Sequence, residues 1–340
     1  MVFEAEAFNR VSQSPEVQIR SSTPSCWWLE AKLNEDVGEE GILGISIESE
    51  SMRLKSTLAL VVTTLLWGSS FIMLKVLLGE VPPVAIAFLR FLIAAPFLLG
   101  IALWKGRGKK RPPGSWKSFI VLGFLGVALY NVLQNLGLNL IMTSESSLLV
   151  CTDPIFIAVL GYYFLGERLG AAKVTGILIA FLGVAVIVLR GGPGFASSWQ
   201  GFLGDVLSLG GAVTWAVYSV YGKKRLASNS AYDVAAFSAV FGAIFLLQLM
   251  AVVEGVALPV TAAGWILLIL LGLLPSGVAY LLWYVAMEDI SAYKAGLSLF
   301  FIPLVSMVLA ALLLGDQLDL LFRVGASLVL GGVLVTTLSK

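Results

Sequence analysis

Long apolar segments, separated by short polar breaks, run through the chain from Leu54 to its C-terminal end. A helix needs about 20 apolar residues to cross the ~30 Å hydrocarbon core of a bilayer. Ten segments of this kind are present, at 54–78, 82–104, 117–139, 144–165, 172–190, 201–222, 232–253, 263–286, 291–314 and 320–338. The pattern therefore predicts an all-α integral membrane protein with ten transmembrane helices.

The lysines and arginines of residues 52–340 predict the orientation of these spans. Fifteen fall on the side that holds both ends of the membrane region, and three fall on the other side. Cytoplasmic loops carry the excess of Lys and Arg. We therefore expect a multi-pass protein of the cell membrane with both termini in the cytoplasm.

The chain matches itself at an offset of 148 or 149 residues, which indicates an internal repeat. The matching pairs are Trp67 with Trp215, Lys75 with Lys223, Pro154 with Pro303, Gly176 with Gly325 and Gly183 with Gly332. Each copy contains five predicted spans, an odd number, so the second copy enters the membrane from the opposite side. We therefore predict two inverted five-helix repeats, 52–191 and 192–340, with a binding site where they meet at the midplane.

Composition supports the membrane assignment and separates the first 51 residues from the rest. The chain is 58% hydrophobic and 13% charged, with a mean hydropathy of +0.93, whereas soluble domains carry roughly 25% charged residues. Residues 1–51 hold ten acidic and three basic residues, a net charge of −7. They are expected to be a disordered extension, and two interpretations remain open: an acidic regulatory tail, or a natural start at Met52.

Polar side chains inside apolar spans are the candidate substrate-binding residues, because unpaired polar groups are costly in lipid. Asn131, Gln134 and Asn135 share one face of span three, and Tyr280, Trp283 and Tyr284 occupy the corresponding part of span eight. These two groups are expected to line a cavity for a small amphipathic solute; the alternative is interhelical hydrogen bonding that only holds the bundle together. We also assign four residues of spans one and six to this cavity: Trp67, Ser70, Trp215 and Tyr218.

Arg90 and Asp153 are the charged residues that lie deepest in the predicted spans. Each is about nine residues from the outer end of its span, or roughly 13 Å at 1.5 Å per residue. An ion pair between them is therefore feasible. Asp153 could be a protonatable coupling site with its pKa set by Arg90, or the two could form a permanent pair that fixes helix packing.

Several other residues of the spans are expected to have mechanical roles. Pro154 and Pro303 should break the same helix of each half. Glu145 and Lys294 could act as gate charges, or could simply be helix-end residues in water. Lys75 and Lys223 resemble anchors whose ammonium groups reach the membrane interface.

The chain contains no histidine and no G-x-x-x-x-G-K-[ST] loop, so its sequence offers neither a histidine-based catalytic site nor a nucleotide-binding loop. We expect no enzymatic activity, cofactor, metal site or nucleic-acid partner. A small-molecule substrate and the lipid bilayer are the expected partners, and a homodimer is one option for assembly.

Short motifs in residues 52–340 are similar to those of EamA-type members of the drug/metabolite transporter superfamily, with two tandem domains. The motifs are Trp67-Gly68-Ser69-Ser70-Phe71, Phe88-Leu89-Arg90, Pro154 followed by Leu165-Gly166-Glu167-Arg168-Leu169, Gly204-Asp205 with Trp215, and Pro303 followed by Leu314-Gly315-Asp316. The resemblance implies ten helices in inverted halves, a central cavity and export of amino acids, related metabolites or toxic compounds. Unlike the small multidrug-resistance relatives, this chain has no carboxylate in span one.

These observations together predict a secondary transporter that moves a small polar or amphipathic metabolite by alternating access, with export of an amino acid or related compound as the expected activity. Two alternatives remain: an integral-membrane enzyme acting on lipid-linked substrates, and a non-transporting sensor or scaffold that uses the acidic tail.

Overall fold

The computed structural model describes residues 54–105, 115–150, 152–166, 170–189, 199–316 and 319–338, and these ranges are built from helices. α1 is Leu54–Leu77, α2 is Pro83–Lys105, and α3 joins Ser115–Leu122, the π-helical Gly123–Leu129 and Tyr130–Leu140. α4 is divided into α4a (Thr143–Val150) and α4b (Asp153–Leu165), and α5 is Ala171–Leu189. α6 is Trp199–Leu226, α7 is Ala231–Val253, and α8 joins Ala262–Leu271, the π-helical Gly272–Val278 and Ala279–Asp289. α9 is divided into α9a (Ala292–Ser298) and α9b (Phe301–Leu313), and α10 is Leu320–Leu338. The acidic segment 1–51 lies outside the described residues.

Eight of these helices are long and apolar enough to cross a membrane, namely α1 to α4 and α6 to α9. The helices α5 and α10 contain shorter apolar stretches, Ala171–Gly183 and Leu320–Gly332. Large apolar side chains also cover the outer surface; Leu312 is 76% exposed and Leu178 is 65% exposed. An outer surface of this kind is stable in lipid rather than in water. The prediction of an all-α, multi-pass membrane protein is therefore confirmed.

Glycines allow the backbones of α5 and α10 to approach closely. A Cβ atom on Gly183 of α5 would lie 2.6 Å from the carbonyl oxygen of Gly325 in α10. A Cβ atom on Gly332 of α10 would collide with the carbonyl oxygen of Gly176 in α5. Small residues permit this packing between membrane helices, where van der Waals contact drives association.

Both long composite helices, α3 and α8, contain a seven-residue π-helical segment. The first begins at Gly123, where a Cβ atom would lie 2.7 Å from the backbone nitrogen of Gly242 in α7. The second begins at Gly272, where a Cβ atom would lie 2.7 Å from the Cβ of Ile93 in α2. Apolar patterning does not distinguish π-helical from α-helical turns, so the sequence predicts only uninterrupted helices here. Such segments often occur at functional sites.

The helices α4 and α9 are each interrupted next to a proline. α4a ends at Val150 and α4b begins at Asp153, immediately before Pro154. In α9 the interruption falls between Ser298 and Phe301, and Pro303 lies in the first turn of α9b. Proline lacks the N–H group that an uninterrupted α-helix would need at these positions. At the interruptions the hydrogen bonds are shorter in sequence: the N–H of Thr152 donates to the carbonyl oxygen of Leu149 and the N–H of Leu299 to that of Gly296.

Two lysines, Lys75 and Lys223, bind the C-terminal ends of neighbouring helices. Lys75 of α1 donates from Nζ to the carbonyl oxygens of Leu138, at 2.7 Å, and Ile141, at 2.8 Å. Lys223 of α6 donates from Nζ to the carbonyl oxygen of Met287 near the end of α8. The last carbonyl groups of a helix have no partner within the helix and attract cations. Both ammonium groups therefore lie at the ends of neighbouring helices, and the anchor role of these lysines stays a prediction.

Glutamates cap helix N-termini across the bundle. Glu80, which follows α1, accepts hydrogen bonds from the backbone N–H groups of Val260 and Thr261 and from the Thr261 hydroxyl, the last at 2.6 Å. These bonds lower the pKa of Glu80, and the largest contribution comes from the Thr261 hydroxyl. Glu254, which follows α7, accepts from the backbone N–H groups of Val84 and Ala85, each at 2.9 Å. These caps connect the short loops to the ends of other helices.

Candidate functional site

A small internal cavity lies where α1, α2, α3, α4, α6, α8 and α9 meet. Eight of the predicted residues line it: Trp67, Ser70, Arg90, Asn131, Gln134, Asp153, Trp215 and Tyr280. Its volume is about 20 Å³, which is room for about one water molecule. Sites that hold small organic ligands usually have volumes of about 300–1,000 Å³. The structure therefore has this site in a closed form.

Arg90 reaches the cavity from α2 and is held by a serine of α8. Its Nε donates to the hydroxyl of Ser276 at 2.9 Å, and that hydroxyl donates in turn to the carbonyl oxygen of Leu271 at 2.8 Å. The guanidinium nitrogen Nη1 is buried and has no hydrogen-bond partner. Ser276 thus holds the Nε side of the guanidinium in place, while Nη1 remains available to a ligand.

Asp153 is the first residue of α4b and is only 3% exposed. The positive end of the helix dipole favours a carboxylate at this position. Its Oδ1 is buried without a hydrogen-bond partner. Within the described part of the chain no ion pair joins Asp153 to Arg90, so the pair considered feasible from their equal depth does not form. The depth of a residue along its helix does not determine the direction of its side chain, and here both side chains line the cavity without pairing.

Asn131 and Tyr280 join the two halves of the chain at the cavity. The Nδ2 of Asn131 donates to the hydroxyl oxygen of Tyr280 at 3.1 Å and to the carbonyl oxygen of Val127 at 2.9 Å. The Tyr280 hydroxyl donates to the carbonyl oxygen of Gly126 at 3.0 Å. Gly126 and Val127 belong to the π-helical segment of α3. The two side chains thus donate hydrogen bonds to backbone carbonyl groups at the point where the regular α-helix is altered.

Aromatic rings form one wall of the cavity. Trp67 packs edge-on against Trp215, with 5.0 Å between ring centroids, and against Tyr280 at 5.8 Å. The Nε1 of Trp67 donates to the carbonyl oxygen of Pro275 at 3.0 Å, which fixes the indole against the π-helical segment of α8. The indole N–H of Trp215 is buried without a partner. Such a wall can contact apolar groups of a ligand through its rings and polar groups through that N–H.

Four of the predicted cavity residues pack elsewhere and do not line the cavity: Asn135, Tyr218, Trp283 and Tyr284. Asn135 donates from Nδ2 to the carbonyl oxygen of Pro83 at 2.9 Å. Trp283 packs on Trp67, with 5.7 Å between ring centroids. Tyr218 and Tyr284 pack against each other at 5.5 Å and occupy the space left by Gly126 and Gly222, respectively. These side chains support the cavity wall from behind.

The two gate candidates have unlike surroundings. Glu145 is buried in α4a, at 7% exposure, whereas Lys294 of α9a is exposed. The alternative of a helix-end residue in water therefore does not hold for Glu145. The start of α4a is bound from the far end of α9: the carboxylate of Asp316 accepts from the backbone N–H of Ser144 at 2.9 Å and from its hydroxyl at 2.8 Å. Neither Glu145 nor Lys294 lines the cavity.

Sequence reasoning missed two polar residues of the site, Tyr130 and Ser276. Tyr130 lines the cavity beside Asn131 and packs on Trp215 at 4.9 Å. Ser276 positions Arg90. A signal for Ser276 was present, because it is a polar residue directly after Pro275 within an apolar span. Tyr130 gave no comparable signal, since tyrosines are enriched at both membrane interfaces and do not by themselves mark a cavity.

The chain is similar to known transporters in sequence and to a solved protein in structure. A sequence model of the EamA-like transporter family matches residues 54–189 and, a second time, residues 202–338. An "uncharacterized transporter" of Archaeoglobus fulgidus is 34% identical over 289 residues, covering 84% of this chain and 98% of the relative. A "probable terminal-alkyne amino-acid exporter" of Streptantibioticus cattleyicolor is 32% identical over 287 residues, covering 83% of this chain and 93% of that protein. A solved crystal structure matches with a TM-score of 0.65 at 26% identity and covers 84% of this chain and 98% of that chain.

Proposed function

Because the chain belongs to the EamA-like transporter family, we propose that it is a secondary transporter that exports an amino acid or a related small zwitterion across the cytoplasmic membrane. One observation carries the proposal. A guanidinium nitrogen of Arg90 and a carboxylate oxygen of Asp153 are both buried at one cavity, and both lack a hydrogen-bond partner.

The free energy of burial explains why these two groups indicate a zwitterion. Charged side chains inside a membrane protein are costly unless they are paired or hydrated. Arg90 and Asp153 do not pair with each other, and the cavity has room for about one water molecule, at about 20 Å³. A solute that carries a carboxylate and an ammonium group would bind both: its carboxylate at the Arg90 guanidinium and its ammonium at Asp153.

The aromatic wall suits a solute whose side chain is apolar or amphipathic. Trp67, Trp215 and Tyr280 present rings to the cavity, and Asn131 presents an amide. The relative from Streptantibioticus cattleyicolor bears the name of a probable exporter of terminal-alkyne amino acids. An amino acid with a terminal alkyne has a zwitterionic head and an apolar side chain. This supports the same chemical class for the solute of this chain.

Alternating access would require two inverted halves of five spans each, and several features support this arrangement. α5 and α10 have 19 residues each, or roughly 28 Å at 1.5 Å per residue, close to the thickness of the hydrocarbon core. The π-helical segments start at Gly123 and Gly272, exactly one repeat offset of 149 residues apart. The lysines at 75 and 223 bind carbonyl groups at the ends of α3 and α8. The excess of basic residues on one side supports cytoplasmic termini.

Asp153 also offers a route for coupling to protons. A single carboxylate can bind either a proton or an ammonium group, but not both at full strength, so the two would compete. Replacement with asparagine removes this competition. If Asp153 couples transport, Asp153→Asn should abolish the dependence of transport on a pH gradient, and an unchanged dependence would remove this role.

Transport assays on charge variants test the proposed function. Purified protein in liposomes should exchange an apolar amino acid such as leucine across the bilayer. Arg90→Gln and Asp153→Asn should each weaken binding by roughly 30-fold or more, since loss of one partner of a buried charge pair costs about 2–5 kcal/mol. The matched control is Arg323→Gln, which neutralises an exposed arginine of α10. Equal binding by all four proteins would contradict the proposal.

A further inference from the structure

An apolar groove lies between α4b and α6, separate from the internal cavity. Its volume is about 480 Å³. The walls are formed by Leu160 and Phe164 of α4b and by Val217, Val220 and Tyr221 of α6. Phe164 is 65% exposed. The groove is therefore open toward the surroundings of the bundle, which are lipid for a membrane-spanning helix.

Two cationic residues, Lys224 and Arg225, complete the lining at one end of the groove. They lie in the last turn of α6 with Lys223. Lys223 already donates to the carbonyl oxygen of Met287. Lys224 is exposed, and neither it nor Arg225 forms an ion pair within the described ranges of the chain. Cations at a helix C-terminus complement the helix dipole in any case, but this explains neither the groove nor the position of Arg225.

The guanidinium of Arg225 is held ready to bind an anion. It lies over the ring of Tyr221, 4.8 Å from the ring centroid. Its Nε is buried and has no hydrogen-bond partner. Stacking on an aromatic face orients a guanidinium and leaves its edge free for the paired hydrogen bonds that phosphate accepts. An anionic phosphate at this edge would also be near the ammonium group of Lys224.

The geometry of α6 relates the basic end to the apolar walls. Val217, Tyr221 and Lys224 follow one another at helical spacing on one face. Seven residues separate Val217 from Lys224, roughly 10 Å at 1.5 Å per residue. The groove thus extends about this far along α6 from its basic end. Basic pockets between membrane helices at the membrane interface bind anionic lipid head groups.

We propose that this groove is a binding site for one anionic phospholipid, with an acyl chain between α4b and α6 and its phosphate at Arg225 and Lys224. The lipid would belong to the leaflet that faces the side rich in lysine and arginine, which the charge distribution predicts to be cytoplasmic. The site is independent of the solute that the internal cavity binds. Charge complementarity selects the occupant: a lipid with net negative charge is favoured over one with a zwitterionic choline head group.

Native mass spectrometry on the full-length protein tests the proposal. The protein is reconstituted in nanodiscs with equal parts of phosphatidylglycerol and phosphatidylcholine, extracted in mild detergent and weighed with its retained lipids. We expect one retained phosphatidylglycerol and at least a tenfold preference over phosphatidylcholine. The double variant Lys224→Gln/Arg225→Gln should lose that preference, while Lys55→Gln, which neutralises an exposed lysine at the start of α1, should keep it.

Further variants distinguish lipid binding in the groove from attraction by surface charge alone. Val217→Trp fills the groove without changing charge and should also abolish retention. Gel filtration and solute exchange identify the variants that remain folded, and Arg225→Lys provides a milder replacement that keeps the charge but loses the paired hydrogen bonds. Equal retention of both lipids by the wild type would overturn the proposal. The proposal would also be overturned if the double variant retained phosphatidylglycerol as the wild type does. Displacement of the lipid by soluble glycerol phosphate would likewise overturn it, because it would indicate a site for anions alone.

Discussion

Replacing Gly332 of α10 with alanine should destabilise the protein, whereas the same change at the adjacent Gly331 should not. A Cβ atom on Gly332 would collide with the carbonyl oxygen of Gly176 and would lie 2.5 Å from the backbone nitrogen of Ala180 in α5. Backbone atoms cannot rotate away as a side chain can. A Cβ atom on Gly331 would meet no atom within 4 Å. The two positions therefore differ in their neighbours but share the same helix.

The expected magnitude follows from two opposing contributions. Alanine is favoured over glycine inside a helix by about 1 kcal/mol, and both variants gain this. Insertion of a methyl group into close packing costs about 1–3 kcal/mol, and only Gly332→Ala pays it. The two variants should consequently differ by about 1–3 kcal/mol in the free energy of unfolding. At roughly 2 °C per kcal/mol, which is the lower end for large chains, the midpoints should differ by about 2–6 °C.

Thermal unfolding of both variants in the same detergent, followed by size-exclusion chromatography of heated samples, measures this difference. The wild type should fall between the two, with Gly331→Ala equal to it or slightly more stable. Equal midpoints for the two variants, or a lower midpoint for Gly331→Ala, would show that α5 and α10 do not pack through these glycines. The reasoning on close backbone contact would then be refuted.

Three further changes test contacts outside the glycine interface. Lys75→Met removes the cation at the end of α3 and should lower the free energy of unfolding by about 1.5–3 kcal/mol; the exposed-lysine variant Lys55→Met should change it little, and equal effects in thermal unfolding would contradict the contact. The lowered pKa of Glu80 means that its stabilisation is present above the ordinary glutamate pKa and is lost as pH falls through the lowered value; the difference in melting temperature between wild type and Glu80→Gln should shrink over that acidic range, and a constant difference would be inconsistent with the cap. Tyr280→Phe removes a hydroxyl with two hydrogen bonds and should cost about 1–3 kcal/mol, whereas the exposed Tyr162→Phe should be nearly neutral; the same melting temperature for both would argue against the bridge.

Hydrophobic patterning was sufficient to predict where the helices lie. The segment predicted at 201–222 corresponds to α6, and its largest error is the C-terminal end at Leu226. Length and apolarity determine which segments can reside in lipid, and prolines and glycines mark where they stop. Patterning could not reveal the π-helical segments, because one extra residue in a turn changes hydrogen bonding without changing which residues are apolar.

The candidate site was predictable in its residue types but not in each residue's role. Gln134 and Asn135 are consecutive, so their side chains point about 100° apart around α3. Gln134 lines the cavity, whereas Asn135 turns to the carbonyl oxygen of Pro83. The sequence shows that both are polar, but only the neighbouring helices decide which one meets the cavity. Rotation of α2 and α4b likewise decided that Arg90 and Asp153 face the cavity without pairing.

The most direct test of the account compares solutes that differ only in their charged groups. Liposomes containing the wild-type protein would be loaded with unlabelled leucine, and exchange would be measured with radiolabelled leucine, with the amine that lacks its carboxylate and with the acid that lacks its amine. We expect rapid exchange of leucine and at least a tenfold lower rate for both analogues, because each leaves either Arg90 or Asp153 without a partner. Exchange of either analogue at the rate of leucine would contradict the claim that these two residues bind the opposite ends of a zwitterion.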